Sequence, residues 1–192
     1  MWNPWLVMAL SWQLMTTGVF KKEGRSAGQE ARIWQTDPRT LREVVVDRPA
    51  MKARLGEYPS VERVWALSLL GCSGQAVAEG QQLLAGSRDR FRPLLVLAHA
   101  LQYHYQWHEA ALLQEEALCL ARSPAREALV RYEIGRRFFD EGRYRDAAAE
   151  LDWAHDLYRT AGHERLARVC RHALQRTRIV LTAAGAADNR PV

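Results

Sequence analysis

Three histidines, His99, His104 and His108, fall within ten residues of one another, and His104 and His108 are four apart. On one helix that spacing would put two imidazoles on the same face, as a zinc site needs. The helical pattern read below ends one helix at His104 and starts the next at His108, so the pair straddles a turn. All three are read as solvated surface histidines. His108-Glu109 begins like the His-Glu-x-x-His helix of zinc proteases, but position 112 is Leu. Cys72, Cys119 and Cys170 are odd in number and form no Cys-x-x-Cys pair. Neither a disulfide framework nor a four-ligand zinc centre follows, and reduced, mostly buried thiols are expected.

The remaining chemistry is equally sparse. Glu115-Glu116 and Asp140-Glu141 are adjacent carboxylates. Neighbours along a helix point in different directions, so neither pair is placed for two-carboxylate acid–base work, and both are read as solvated faces. Gly71-Cys72-Ser73-Gly74 matches no phosphate loop or nucleophile elbow and is read as a turn. Gly-x-x-x-x-Gly-Lys-Ser/Thr and Gly-x-Gly-x-x-Gly are missing from the sequence, and Gly24-Arg25-Ser26-Ala27-Gly28 has the Gly-x-Ser-x-Gly spacing alone, a match too short to carry an enzyme by itself. The expectation is a protein that is not an enzyme, with no cofactor and no metal.

The elements that carry these residues are helical. Apolar residues make up 48% of the 192, enough for a sizeable core, while 7 Pro and 12 Gly mostly sit between apolar stretches. The net charge is +5, with 24 Arg against 3 Lys, but 22 acidic residues are interleaved, so nothing demands a nucleic-acid partner. Residues 2–20, from Trp2 to Phe20, are largely apolar, broken by Asn3, Pro4, Ser11, Gln13, Thr16 and Thr17, and followed by Lys21 and Lys22. The charge order is wrong for a secretory signal. A buried helix opening the domain of a cytoplasmic protein is expected. The alternative is an inner-membrane anchor with Trp2 and Trp5 at the interface.

The clearest unit starts at Ser123-Pro124, an N-cap followed by Pro in the first turn. Leu129 or Val130, Ile134, Phe138 and Phe139 recur at helical spacing until Gly142 stops the helix. Tyr144, Ala147, Ala148, Leu151, Ala154, Leu157 and Tyr158 then form the inner stripe of a second helix. Small residues at Gly135, Ala147 and Ala154 let the two rods cross closely. A looser copy lies 37 residues earlier: Leu94, Leu97, Ala98 and Leu101, then Trp107, Ala110, Gln114 and Ala117. A weaker one, 32 earlier again, has Trp65, Ala66 and Leu69, then Ala78, Gln82 and Ala85, with Glu62 spoiling its first position.

Segment 128–159 resembles the tetratricopeptide (TPR) motif, which has Trp-x2-Leu-Gly-x2-Tyr on one helix and Ala-x3-Phe, then Ala, on the next. The matching positions are Arg131, Ile134, Gly135 and Phe138, then Tyr144, Ala147, Leu151 and Ala154. Arg131 stands where an aromatic is usual and Arg159 where Pro is usual. The expected fold is all-α: a short TPR-like solenoid of antiparallel helix hairpins with a C-terminal capping helix. It divides into an N-terminal helical region (1–58), repeats (59–162), the capping helix (163–181) and a flexible tail (182–192). In the first region, residues 5–22 and 26–34 are candidates for a fourth hairpin. Asp37-Pro38 and Asp47-Arg48-Pro49 predict short helices over 39–46 and 50–55.

The resemblance implies that first-helix residues free of hairpin packing line a concave groove. They are Arg63, Leu67 and Leu70, then Arg92, Leu95, His99 and Tyr103, then Tyr132, Arg136, Phe139 and Asp140. Arg with aromatics suits a protein or peptide partner that carries an acidic or carboxylate group. A peptide-binding adaptor or scaffold is therefore expected. Two alternatives are the sensor portion of a bacterial transcription regulator and a membrane-tethered envelope protein. The oligomeric state stays open, since exposed ends of repeat arrays can pair.

Overall fold

A computed structural model describes residues 33–188, with side chains to 184. The proposals for residues 2–20, for the 5–22 helix and for most of 26–34 lie outside the described residues. The chain opens with two short strands, β1 (Trp34–Thr36) and β2 (Glu43–Val45). Eight helices follow among the described residues: α1 (Arg48–Ala53), α2 (Ser60–Leu69), α3 (Ser73–Gly86), α4 (Phe91–Tyr103), α5 (Trp107–Cys119), α6 (Pro124–Asp140), α7 (Tyr144–Thr160) and α8 (Glu164–Asp188). The protein is all-α apart from this small sheet. None of these helices is long and apolar enough to cross a membrane.

Several helix ends fall where the sequence predicts, but α1 covers Arg48–Ala53 instead of 50–55 and α8 runs on to Asp188, past the expected end at 181. Ser123 Oγ accepts the Arg126 backbone N–H at 3.3 Å, and Asp47 Oδ1 accepts that of Ala50 at 2.9 Å. Gly142 and Gly162 close α6 and α7 at φ +76° and +78°, a conformation that costs glycine little. The Arg143 and His163 N–H groups bond back to the Phe138 and Tyr158 carbonyls. Connections this short make α6, α7 and α8 fold back on one another, and each packs along its neighbour. The inner stripe of α8 is Leu166, Ala167, Cys170, Ala173, Leu174 and Thr177, all buried.

The close crossing of α6 and α7 is tight. A Cβ on Gly135 would sit 2.7 Å from Leu151 Cγ and 3.4 Å from the Ala147 carbonyl oxygen. Ala147, Leu151 and Ala154 are fully buried. In the middle pair, Gln114 occupies the large apolar position, 1% exposed, and its Oε1 accepts Arg137 Nε at 2.7 Å. A polar residue sits there because the next helix supplies the matching donor.

The earliest pair corrects the register read from sequence. Ala78, Gln82 and Ala85 are exposed, whereas Ala76 and Gly80 are buried. The true series is Ala76, Gly80 and Leu83, 34 residues before Ala110, Gln114 and Ala117. A Cβ on Gly80 would meet Leu97 Cδ1 at 3.0 Å and Val64 Cγ1 at 3.5 Å, so glycine marks the close approach that alanine marks elsewhere.

The predicted helix over 39–46 is also corrected. Val44, Val45 and Val46 are stiff at χ1 and favour extended backbone, and Glu43–Val45 pairs antiparallel with Trp34–Thr36, Trp34 opposite Val45. Asp37 starts a turn instead of a helix: its Oδ1 accepts the Arg39 N–H at 2.8 Å and its Oδ2 the Thr40 hydroxyl at 3.1 Å.

Candidate functional site

The helices α2, α4 and α6, which begin successive pairs, pack side by side, α2 on α4 and α4 on α6. Their shared inner face is where sequence reasoning set the groove. It holds the chain's own segment 33–46. Trp34 packs edge-on against Trp65 of α2, ring centroids 5.1 Å apart. Leu41 enters the larger core cluster together with Leu94 and Leu95 of α4, Tyr132 of α6 and Leu166 and Cys170 of α8. Arg176 of α8 donates from Nε to the Arg39 carbonyl at 3.0 Å.

Between these anchors lies a polar junction. Glu43 and Arg136, 4% and 2% exposed, meet at 2.6 Å through Oε2 and Nη2. Arg136 Nε also donates to the Leu41 carbonyl at 3.1 Å. The Tyr103 hydroxyl accepts the Glu43 backbone N–H at 2.7 Å and donates to Glu43 Oε2 at 2.6 Å. Next along, Arg42 donates through Nε to Asp140 at 3.1 Å and lies 4.7 Å above the Tyr105 ring and 5.2 Å from that of Tyr103. Gln102 Nε2 donates to Asp140 Oδ2 at 2.7 Å. Leu41 holds φ +59°, a strained setting for a branched side chain, and thereby aims its carbonyl at Arg136 while its side chain points inward.

The electrostatics follow from burial. Desolvation is the largest single influence and would raise the Glu43 pKa, but the Arg136 charge and the hydrogen bonds from Arg136 and Tyr103 together outweigh it and hold the carboxyl at about 2. Burial presses His99 down to about 4, so its ring is neutral where it stacks on Tyr103, centroids 4.4 Å apart. Glu133 is driven up to about 7 by burial, against the pull of Arg136 and with the Glu43 and Asp140 charges nearby. Its Oε2 is 3.4 Å from Arg136 Nη1.

Of the seven residues proposed as partner-binding, the structure gathers His99, Tyr103, Tyr132 and Arg136 around this segment. Their inner surfaces are covered, not open. Leu95 and Phe139 are core residues, 6% and 8% exposed, and Phe139 packs against Tyr144. Arg92 stands apart, bonded to Glu62 of α2 at 3.1 Å. Three further expectations are revised. His99 is buried at 6% exposure instead of solvated, because it is walled in by Tyr103 and the segment. Asp140 is not a solvated face, its side chain being 8% exposed beneath Arg42. Cys119 is exposed, Cys72 half-buried and only Cys170 buried; all three are free thiols.

Sequence reasoning missed Glu43, Arg42 and Leu41, the residues that occupy the face. Arg136 carried a signal: a cation inside the run Ile134 to Phe139 must find an acid. Its acid lies 93 positions upstream, beyond any local pattern. No family model, no curated protein and no solved structure matches this chain. The reading of the inner face rests on its geometry.

Proposed function

We propose that this protein is a non-enzymatic helical scaffold that holds an extended peptide segment on the inner face formed by α2, α4 and α6. The observation that carries the reading is how that face treats segment 33–46: Arg136 and Tyr103 grip a carboxylate and backbone groups, while Leu41 enters the core. Those contacts use main-chain hydrogen bonds for affinity and a buried side chain plus one charge for selectivity, as peptide-recognition surfaces do. The TPR-like pattern of 128–159 supports the same reading, since in that family the first helices line the ligand face.

The test compares partners retained by the full chain and by variants at the rim of this face. Tyr105→Ala alters the inner rim beside Arg42; Leu112→Ala and Trp153→Ala alter exposed positions on the outer helices α5 and α7. Quantitative mass spectrometry after affinity purification should show a partner lost with Tyr105→Ala and kept with the outer pair. The reverse pattern would remove the inner face as the binding site.

A further inference from the structure

Resting on that reading, we infer that the tip of the β1–β2 hairpin, residues 37–43, is an exchangeable internal occupant. The inner face then accepts from a partner an extended segment with the order apolar–basic–acidic, the chemistry of Leu41-Arg42-Glu43. Each of the three positions has its own receptor. The apolar residue enters the cluster of α4, α6 and α8. The basic residue reaches Asp140 while resting on Tyr103 and Tyr105. The acidic residue meets Arg136 and the Tyr103 hydroxyl.

Exchange is favoured by how the tip is held. Its strands are three residues each, too short for a hairpin to be stable by itself. Leu41 is strained at φ +59°. Three buried atoms at the junction, Arg42 Nη2, Gln102 Oε1 and His99 Nε2, make no hydrogen bond within the described residues. Gln102 and His99 are 1% and 6% exposed. A foreign segment that relaxes the backbone and satisfies Gln102 Oε1 and His99 Nε2, while the released Arg42 regains water, binds better than the internal one, residue for residue. The internal tip competes at the high effective concentration of a tethered ligand, so the apparent affinity for a partner falls by the fraction of time the face is open.

The experiment uses the full chain and a fluorescent peptide of residues 37–45, Asp-Pro-Arg-Thr-Leu-Arg-Glu-Val-Val. A tip variant, Leu41→Ala with Glu43→Gln, should bind it at least about tenfold more tightly than the unaltered chain, because the internal competitor is weakened. Replacing Glu by Gln in the peptide should cost the tip variant at least about tenfold. Equal binding by the two proteins, or indifference to the peptide's Glu, overturns the inference. Hydrogen exchange on the unaltered chain gives a second measure that does not depend on the variant folding. The Leu41 and Glu43 amides should exchange faster than those of α6, and exchange only with global unfolding would overturn the inference. A locked tip alongside partner capture that still depends on the inner rim would sink this inference and leave the scaffold reading standing.

Discussion

Arg136 has two carboxylates within reach and treats them differently. Glu43 is fully ionised against it, while Glu133, 14% exposed and 3.4 Å away, is held near pKa 7 mainly by burial. Removing one partner of a buried pair leaves the other charge stranded, so Glu43→Gln should lower stability by about 3–5 kcal/mol in urea titration. Replacing both residues by apolar side chains should cost less than either single change. The pH dependence has two opposed limbs. Burial lowers the folded pKa of His99 to about 4, so its contribution is complete above pH 6.5 and is lost as pH falls from 6.5 to 4. Burial raises that of Glu133 to about 7, so its contribution is complete below pH 4.5 and is lost as pH rises from 4.5 to 7. The Glu43 contribution is present above 4.5 and is lost as pH falls from there toward 2. Between 4.5 and 6.5 the first two limbs oppose each other. Thermal melts should show Glu133→Gln gaining about 1–3 kcal/mol over the unaltered chain at pH 8 and nothing at pH 4.5. His99→Gln should flatten the acid side.

Among the elements, helix pairing depends on a few small residues, and glycine substitutions should take opposite signs. Gly135→Ala drives a methyl to 2.7 Å from Leu151 Cγ, and overpacking of that kind should destabilise by about 1–3 kcal/mol. Gly86, the last residue of α3, has nothing within 4 Å of an added Cβ. Gly86→Ala should stabilise by about 0.5–1 kcal/mol, through helix propensity and a less free unfolded chain. Chemical denaturation of both variants checks the pair. The same positions show what could be read in advance. The pair α6–α7 was legible because Ser123 and Gly142 mark its ends locally and Gly135 meets Leu151 and Ala147 of the very next helix, across one short turn. The register of α3 was not, because its close approach uses Gly80 against Leu97 and Val64, residues on other helices. The hairpin was misread for a related reason. Asp37-Pro38 opens a helix or a turn equally well, and what decides is the Val44–Val46 run together with pairing to Trp34–Thr36. The TPR resemblance, not periodicity, set Arg and aromatic residues of the first helices on one face; Tyr103 and Arg136 contact the segment, whereas Arg92 bonds Glu62 and Phe139 is buried in the core. The carboxylate that Tyr103 and Arg136 meet had no local signature.

At the scale of the molecule, a stack of helix pairs is held by contacts between neighbours, so its ends can melt separately. Segment 33–46 changes that coupling. Arg42 reaches Asp140 across 98 positions, Glu43 reaches Arg136 across 93, and Arg39 is held by Arg176 across 137. The unaltered chain should therefore unfold in urea as one transition by both tryptophan fluorescence and circular dichroism. Leu41→Ala with Glu43→Gln should separate the two probes, with Trp34 and Trp65 reporting the earlier change.

The strap has a further consequence for how the chain is made. Leu41, Arg42 and Glu43 leave the ribosome long before Arg136 and Arg176 do. At roughly 5–20 residues per second, the sites that receive them emerge on the order of ten seconds later. For that interval the Leu41, Arg42 and Glu43 side chains lack the residues of α6 that receive them, and the nascent chain carries an uncovered tip that slower translation would prolong.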